Sequence, residues 1–338
     1  MKKILMIGTG GTIASQSTEF GLTPGLSTEE LLSYVPQAAD VCEVDSIQVC
    51  SIDSTNVTPY YWKLMEKAVE DNYDKYDGFV ICHGTDTLAY TAAALSYMIQ
   101  NSSKPIVITG AQRPISNDVT DAKTNLLESL IYAADDDSQD VSIVFGGKVI
   151  VGTRAKKERA KSFNAFRSVN FPTPAIIQDG RVIRYIPSVP FGEPVRFYHE
   201  MGESIFLLKL IPGIKPDILP YLFENYDCIV MESFGVGGIP TTLTEEFYKI
   251  MQEWIESKGK IVVMATQVVN EGSDMTVYEV GAKVKSDFNL IEAYDMTLEA
   301  TITKLMWIMG LPKMKYSQIK EMFYSTVNSD IIFTRNIK

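Results

Sequence analysis

The chain has 338 residues, of which 46% are hydrophobic and 22% charged, and this excludes disordered, collagenous and low-complexity proteins. Its length suggests two domains, and roughly three-quarters of the unfolded surface is buried at this size. The net charge of −11 argues against a nucleic-acid binder, and no apolar run approaches the roughly 18 residues of a membrane-spanning helix, so neither nucleic acid nor membrane is an expected partner.

The first 145 residues alternate short apolar runs with helical patterns. Ser27 and Glu30 have capping-box spacing, and Thr58-Pro59 is typical of a helix start. Further helices are predicted over residues 87–99 and 125–134. Strands are predicted over residues 4–7, 79–82, 106–109 and 142–145. This alternation favours a parallel sheet that is covered by helices on both faces.

Residues 148–187 lose the alternation and resemble hairpin or edge strands, and a proline-containing stretch follows them. A second set of strands and helices is predicted at residues 205–210, 218–225, 228–232, 244–257, 261–265, 296–309 and 317–324. We therefore predict an N-terminal catalytic α/β domain over residues 1–187, a linker over 188–203 and a smaller C-terminal α/β domain over 204–338.

Two predicted strands end in loops whose residues suit chemistry on an amino acid. Thr12 follows a glycine cluster that lets backbone approach a ligand closely, and Thr85-Asp86 lies before a predicted helix. Free N–H groups at a helix start favour a carboxylate or a developing oxyanion, and an aspartate beside them would hold an ammonium group. A threonine hydroxyl is the best nucleophile available by elimination.

Several alternatives remain or are excluded at this point. A dinucleotide-binding GxGxxG motif would need glycine where Ile13 stands. Cys82 and His83 are adjacent in a strand, so their side chains point to opposite faces, and there is no GxSxG motif. With two histidines and no CxxC pair, the sequence has no HExxH motif or Cys/His cluster of zinc-binding spacing. Asp86 as a simple helix cap and a solvated lysine pair at residues 156–157 stay open.

Six segments resemble motifs of the bacterial-type L-asparaginases. The two signature segments are TGGTIAS at residues 9–15 and HGTDTL at 83–88, and the supporting ones are Asp53-Ser54, TGAQRP at 109–114, SFGVGG at 233–238 and DMTLEAT at 295–301. The last is similar to the cytoplasmic type I branch. The resemblance implies a two-domain asparaginase-like fold, with a larger N-terminal, mostly parallel sheet between helices and a smaller C-terminal α/β domain.

The resemblance also implies the reaction, which is hydrolysis of L-asparagine to L-aspartate and ammonia, with room for minor glutaminase activity. Thr12 would attack the side-chain amide to give an acyl-enzyme ester. Thr85, with Lys157 and Asp86, would orient this attack and later the water. The lysine is assigned to Lys157 because the family spacing from Arg154 places it third after the arginine.

Substrate binding is implied for Gly11, Asp53, Ser54, Thr85, Asp86 and Ala111. Asp86 would bind the α-ammonium group, Ser54 the α-carboxylate with help from the backbone around Asp53, and the Ala111 carbonyl the amide nitrogen. No cofactor and no metal are implied. The family further implies a homodimer or homotetramer and a cytoplasmic location.

Two departures from the family pattern stand out. The tyrosine expected on the loop after the first strand falls at Leu22, and this loop, residues 15–25, is expected to be a mobile lid. In the family this tyrosine activates the nucleophile, so either another residue makes this contact with Thr12 or turnover is weak. Lys156 and Val268 occupy the places of a threonine and a cysteine in the allosteric type I enzymes, so the effector site of those enzymes is expected to be absent.

Two other functions stay as alternatives. A non-catalytic aspartate- or asparagine-binding protein is suggested by Leu22 and opposed by Thr12, Thr85, Asp86 and Lys157. The ammonia-releasing subunit of an archaeal tRNA-dependent amidotransferase has the same fold with an additional N-terminal domain, whereas the first predicted strand here lies within residues 3–7. A nicotinamide dehydrogenase is opposed by Ile13.

Overall fold

The structure, a computed structural model, describes residues 1–18, 21–239 and 244–332. The chain divides into two compact units, residues 1–199 and 200–338. Each unit is an α/β fold with its own hydrophobic core. The boundary falls within residues 188–203, and the domain limits expected from the sequence remain a prediction. None of the described helices is long and apolar enough to cross a bilayer.

In its described residues, the first unit consists of strands and four α-helices. Its strands are β1 (Lys3–Gly10), β2 (Ser15–Thr18), β3 (Gly21–Pro24), β4 (Glu43–Ile52), β5 (Gly78–Cys82), β6 (Ile99–Gln100), β7 (Pro105–Thr109), β8 (Asp140–Phe145), β9 (Lys148–Val151), β10 (Ala155–Lys157), β11 (Phe166–Ser168), β12 (Ala175–Gln178), β13 (Arg181–Arg184) and β14 (Arg196–Phe197). Its α-helices are α1 (Thr28–Ser33), α2 (Pro59–Glu70), α3 (Leu88–Met98) and α4 (Ala122–Ala134). Short 3₁₀ turns include Thr12–Ala14 and Ser54–Asn56.

Eight strands form the main sheet, in the order β13-β12-β9-β8-β7-β5-β1-β4. The five strands from β8 to β4 are parallel, and the three at the other side are antiparallel. Strand β1 lies between β4 and β5, so the chain reverses its direction of travel across the sheet at this point. Ligands of open α/β sheets bind beyond the carboxyl ends of the strands at such a reversal.

The buried strands explain the near-continuous apolar runs of the sequence. Every residue of β5 and β7 is buried, which is expected of parallel strands covered on both faces. On one face, Ile4, Met6 and Val80 pack in one core cluster with apolar residues of α1 and α4. Almost all residues of helix α3 are buried. The predicted two-domain fold with a large, mostly parallel sheet is confirmed.

The second unit is a smaller parallel sheet with helices. Its strands follow one another in the sheet in chain order: β15 (Ile205–Lys209), β16 (Cys228–Ser233), β17 (Ile261–Thr266) and β18 (Ile291–Glu292). Its helices are α5 (Ile218–Asn225), α6 (Thr244–Met251) with a π-helical continuation over Gln252–Ser257, α7 (Glu279–Asp287), α8 (Leu298–Gly310) and α9 (Tyr316–Tyr324).

Two regions near the amino terminus differ from the sequence-based prediction. Strand β4 was not predicted, because it is an edge strand that carries Glu43, Asp45 and other polar residues and therefore lacks an apolar run. The expected lid loop contains the antiparallel hairpin of β2 and β3. The backbone of Leu22 lies in β3, opposite Ser17, but its side chain lies outside the described part of the structure.

Candidate active site

Backbone contacts hold the ends of β1, β4 and β5 together. The Gly11 N–H donates a hydrogen bond to the Ile52 carbonyl at 3.0 Å, and the Thr9 hydroxyl donates to the Cys82 carbonyl at 2.8 Å. Gly11 has a φ of +74°, and a Cβ there would lie 2.3 Å from the Gly84 nitrogen. Only glycine both adopts this positive φ readily and has no Cβ to overlap the Gly84 nitrogen. Thr12 is therefore the next residue after a point where the β1 and β5 loops touch.

The end of β4 closes the same group of loops through Ser54. The Ser54 side chain is 3% exposed, and its hydroxyl accepts a hydrogen bond from the Asp86 N–H at 3.3 Å. A hydroxyl accepts and donates independently, so Ser54 can also donate its own proton to a ligand. The carboxylate of Asp53 accepts from the backbone N–H and the hydroxyl of Thr55, so its side chain is used locally to cap the 3₁₀ turn.

Lys157, at the end of β10, reaches into the β5 loop. Its Nζ donates to Thr85 Oγ1 at 2.8 Å and to Asp86 Oδ1 at 2.7 Å. The Lys157 side chain is 18% exposed, whereas that of Asp86 is 58% exposed. An ammonium group in this position stabilises negative charge that develops on the Thr85 oxygen.

Asp86 is not a helix cap. Helix α3 begins at Leu88 with Thr87 in the capping position, and the Thr87 hydroxyl donates instead to the Ser54 carbonyl at 2.7 Å. The open alternatives from the sequence, a capping aspartate and a solvated Lys157, do not describe these two side chains, because the structure pairs them with each other.

Gln112 is a site residue that carries no role in the sequence analysis. Its Oε1 accepts from the Thr85 hydroxyl at 3.1 Å, and its Nε2 donates to the carbonyls of Arg159 and Ser162. The Thr85 oxygen thus has one donor, Lys157, and one acceptor, Gln112, which fixes the direction of its proton. The available signal was the position of Gln112 three residues after the buried strand β7.

Two other expected residues are Thr12 and Ala111. Thr12 is half-buried at the start of the 3₁₀ turn, and its hydroxyl has no hydrogen bond to any residue that the structure describes. Ala111 follows β7, but its methyl group is fully buried in the core, so only its backbone can contact a substrate. The structure brings Gly11, Ser54, Thr85, Asp86 and Lys157 into contact with one another or with adjoining backbone.

His83 supports the β5 loop from inside the protein. Its Nδ1 donates to the Gly84 carbonyl at 2.7 Å, and its Nε2 accepts from the Thr91 hydroxyl at 3.0 Å. Thr91 in turn accepts from the indole N–H of Trp62 at 2.9 Å. Burial lowers the pKa of His83 to about 4, so the ring is neutral near pH 7 and serves as a support rather than as a proton carrier.

A group of side chains that could bind a metal ion lies outside the loops of the candidate site. Among the described residues, histidine and carboxylate atoms come close enough together for a metal ion at Glu66, Glu70 and His199, none of which lies in these loops.

The profile of the family "Asparaginase, N-terminal" matches residues 3–189, and that of the "Glutaminase/Asparaginase C-terminal domain" matches residues 204–323. An L-asparaginase of Thermococcus kodakarensis is 39% identical over 310 residues, which cover 91% of this chain and 93% of the relative. A solved structure of thermostable L-asparaginase from that organism has a TM-score of 0.90 at 35% identity and covers 98% of this chain and 100% of its own.

Two further relatives represent different named functions. L-asparaginase 1 of Escherichia coli is 34% identical over 319 residues, covering 91% of this chain and 92% of the relative. A glutamyl-tRNA(Gln) amidotransferase subunit of Methanosphaera stadtmanae is 33% identical over 324 residues, covering 91% of this chain and 72% of the relative.

The contact between the β4 and β5 loops generates a first prediction. A Cβ at position 84 would lie 2.6 Å from the Ser54 hydroxyl oxygen and 3.2 Å from the Gly11 Cα. Gly84→Ala should therefore lower the free energy of unfolding by about 1–3 kcal/mol and, by displacing the loops, lower kcat/KM roughly 100-fold. Denaturant unfolding and amide-hydrolysis kinetics measure both effects.

Gly192→Ala is the matched control, since nothing lies within 4 Å of the added methyl group. It should leave both stability and kinetics near the parental values. Parental activity in Gly84→Ala would show that the approach of these loops is not needed for the reaction.

Burial of His83 generates a prediction about pH. The folded state holds the pKa of this ring at about 4, against an ordinary value of 6.5, so the unfolded chain binds the proton first as the pH falls. The stability contributed by the neutral ring is complete above pH 6.5 and is lost between pH 6.5 and 4, by about 3 kcal/mol. His83→Gln should lose less stability over this range than the parent, as measured by urea unfolding. Equal slopes for the two proteins would contradict the assignment of a neutral, buried His83.

Proposed function

The chain belongs to the asparaginase family, on the branch that includes L-asparaginase 1 of Escherichia coli, and is an amidohydrolase; on this premise we propose that it hydrolyses L-asparagine to L-aspartate and ammonia. The observation that carries the proposal is the bridge from Lys157 to Thr85 and Asp86, beside the Gly11–Gly84 contact that precedes Thr12. It combines the polarised Thr85 hydroxyl and the half-exposed Asp86 carboxylate with the Thr12 hydroxyl, which has no hydrogen bond to the described residues.

The charges of the site suit an α-amino acid. The Asp86 carboxylate is exposed enough to bind an incoming α-ammonium group while keeping Lys157 on its Oδ1. The Ser54 hydroxyl, with its proton available, is suited to donate to the α-carboxylate. These two contacts would fix the backbone of the substrate and leave its side-chain amide free to approach the threonines.

In the first proposed step, Thr12 Oγ1 attacks the amide carbon and forms an ester. The negative charge on the amide oxygen is stabilised by backbone N–H groups, for which we propose those of Thr12 and Thr85. The Thr12 proton passes to the amide nitrogen, which leaves as ammonia as the carbon–nitrogen bond breaks, and the Ala111 carbonyl accepts a hydrogen bond from this nitrogen. The products are an acyl-enzyme ester and free ammonia.

In the second proposed step, water hydrolyses the ester. The Thr85 oxygen, held between Lys157 and Gln112, orients the water and takes part in removing its proton. The water oxygen bonds to the acyl carbon, the ester bond breaks, and a proton returns to Thr12 as aspartate leaves. No metal or cofactor is part of this sequence.

An amidotransferase component is a second candidate, because a relative with that name is 33% identical to this chain. Its role would be to deliver ammonia to a partner instead of releasing it. Ammonia release from L-asparagine by the isolated protein, without tRNA or partner, supports the hydrolase. Tight binding of asparagine without any release would point to the non-catalytic binding protein.

We also propose a homodimer or homotetramer in the cytoplasm. All four cysteines of the chain are free, which suits a reducing compartment.

Removing either threonine hydroxyl should abolish most activity without unfolding the protein. Thr12→Ala and Thr85→Ala should each lower kcat roughly 1,000-fold or more, because the hydroxyls serve successive steps. Thr58→Ala is the matched control, since this threonine makes no side-chain capping bond and lies outside the site. A coupled ammonia assay with asparagine and glutamine measures the effect, and parental turnover in Thr12→Ala would rule out the proposed nucleophile.

Asp86→Asn should weaken binding of the substrate ammonium group. Loss of a charged hydrogen bond amounts to about 1.5–3 kcal/mol, which corresponds to a decrease in kcat/KM of roughly 10- to 160-fold. The measurement compares asparagine with succinamate, which lacks the α-amine and should lose much less. Equal losses for both substrates would mean that Asp86 acts mainly through Lys157.

A further inference from the structure

Glu66, Glu70 and His199 of the first unit form a cluster, called here the α2 cluster. The two glutamates lie one turn apart on helix α2, and His199 follows strand β14. His199 Nδ1 lies 3.2 Å from Glu66 Oε1 and from Glu66 Oε2, and Nε2 lies 3.8 Å from Glu70 Oε1. One ligand atom from each residue can be chosen so that all lie within 4.8 Å of one another.

Glu66 is the unusual member of the α2 cluster. Its side chain is 1% exposed, and its buried Oε1 accepts no hydrogen bond from the residues that the structure describes. His199 Nδ1 carries one proton at most and can donate it only to Oε2 in this geometry. A buried carboxylate oxygen that accepts no hydrogen bond is energetically costly, and a cation placed between it and His199 would reduce this cost.

Lys67, the residue next to Glu66 in the helix, does not supply that cation. Lys67 Nζ bonds to Glu70 Oε2 at 3.2 Å and to Asp71 Oδ1 at 2.5 Å. Glu70 therefore uses one oxygen for Lys67 and turns the other, Oε1, towards His199. The oxygens that face the imidazole are thus the ones that a cation could bind.

We propose that the α2 cluster binds a divalent transition-metal ion of the zinc type, with Glu66, Glu70 and His199 as its protein ligands. Two carboxylates and an imidazole are a donor set that suits Zn²⁺ better than Ca²⁺ or Mg²⁺, which prefer oxygen ligands alone. Ligand atoms about 2.0–2.2 Å from a tetrahedral ion lie about 3.3–3.6 Å apart. His199 Nδ1 lies 3.2 Å from Glu66 and Nε2 lies 3.8 Å from Glu70, so one of these two nitrogens has to turn to face both carboxylates. Small rotations of the half-exposed imidazole are enough to bring one nitrogen into position.

The ion would tie the last residue of the first unit to helix α2. Strand β14, which precedes His199, pairs only with the two-residue strand β6 in the described structure. A metal bond to His199 would add a strong cross-link to this weakly paired segment and stabilise the folded state according to the affinity and concentration of the ion. The role proposed is structural, and the hydrolytic steps do not depend on it.

The histidine content of the chain makes the test specific. Its two histidines are His83, which is fully buried with both ring nitrogens bonded, and His199, whose side chain is 56% exposed. Imidazole coordination of an added ion in the folded protein is therefore coordination by His199. The full chain, freed of any polyhistidine tag and of metal, is titrated with Zn²⁺ by calorimetry, and bound zinc is counted after dialysis.

The parent should bind one Zn²⁺ per chain and show a higher Tm with the ion. His199→Ala, Glu66→Gln and Glu70→Gln should each weaken the affinity at least 10-fold and remove most of the rise in Tm. Asp71→Asn is the matched control: it also removes a carboxylate partner of Lys67, but Asp71 is not part of the cluster, so the parental affinity should remain.

Thiol binding is distinguished with Co²⁺ in place of Zn²⁺. A spectrum without a thiolate charge-transfer band, lost in His199→Ala, supports the α2 cluster, whereas a thiolate band points to Cys50, the half-buried cysteine. If Glu66→Gln fails to fold, His199→Ala decides the question, because this side chain is on the surface. No zinc binding by the parent, or parental affinity in His199→Ala, would overturn the proposal.

Discussion

The contact between the backbones of Gly11 and Gly84 is the constraint on which the candidate site depends. Strand β1 has β4 on one side and β5 on the other, so the loops after all three leave the sheet side by side. A Cβ at Gly11 would overlap the Gly84 nitrogen at 2.3 Å, so side chains at this point would force the loops apart. Because both positions are glycines, the two loops can touch. The residues that follow the glycines, Thr12 and Thr85, therefore lie in adjoining loops at the end of the sheet.

A single ammonium group organises the polar part of the site. Lys157 joins the Thr85 hydroxyl to the Asp86 carboxylate, and Gln112 accepts the Thr85 hydrogen bond. Behind the β5 loop, a chain of neutral hydrogen bonds runs from Trp62 through Thr91 to His83 and the Gly84 carbonyl. The β5 loop is therefore held on its solvent side by the charged Lys157 and Asp86 side chains and on its inner side by uncharged groups. These charges lie where a zwitterionic amino acid would bind.

Much of the fold could be predicted from the sequence, because buried parallel strands leave apolar runs and helix starts leave local signatures. The capping box of Ser27 and Glu30, for example, is present with both of its hydrogen bonds. Strand β4 could not be predicted in this way, since an edge strand with one neighbour in the sheet tolerates alternating polar residues.

The site was less predictable, because its contacts join residues that are far apart in the sequence. The Lys157–Thr85 hydrogen bond spans 72 residues, and its expectation came from resemblance to a family rather than from local pattern. Gln112 was missed because its role depends on contacts with Thr85 and with the carbonyls of Arg159 and Ser162, which its position after a strand does not reveal. The α2 cluster was missed because Glu66 and His199 are 133 residues apart in the sequence, and no metal-binding spacing connects them.

In the proposed mechanism, amide hydrolysis passes through an ester on Thr12, and Thr85 and Lys157 serve the second step. The most direct measurement is mass spectrometry of peptides from Lys157→Met that has been mixed with L-asparagine and quenched in acid. We expect an added aspartyl group on the peptide that contains Thr12, and this group should persist because its hydrolysis is slowed. An aspartyl group on the Thr85 peptide, or ammonia release with no acylated peptide at any time, would contradict the proposed mechanism.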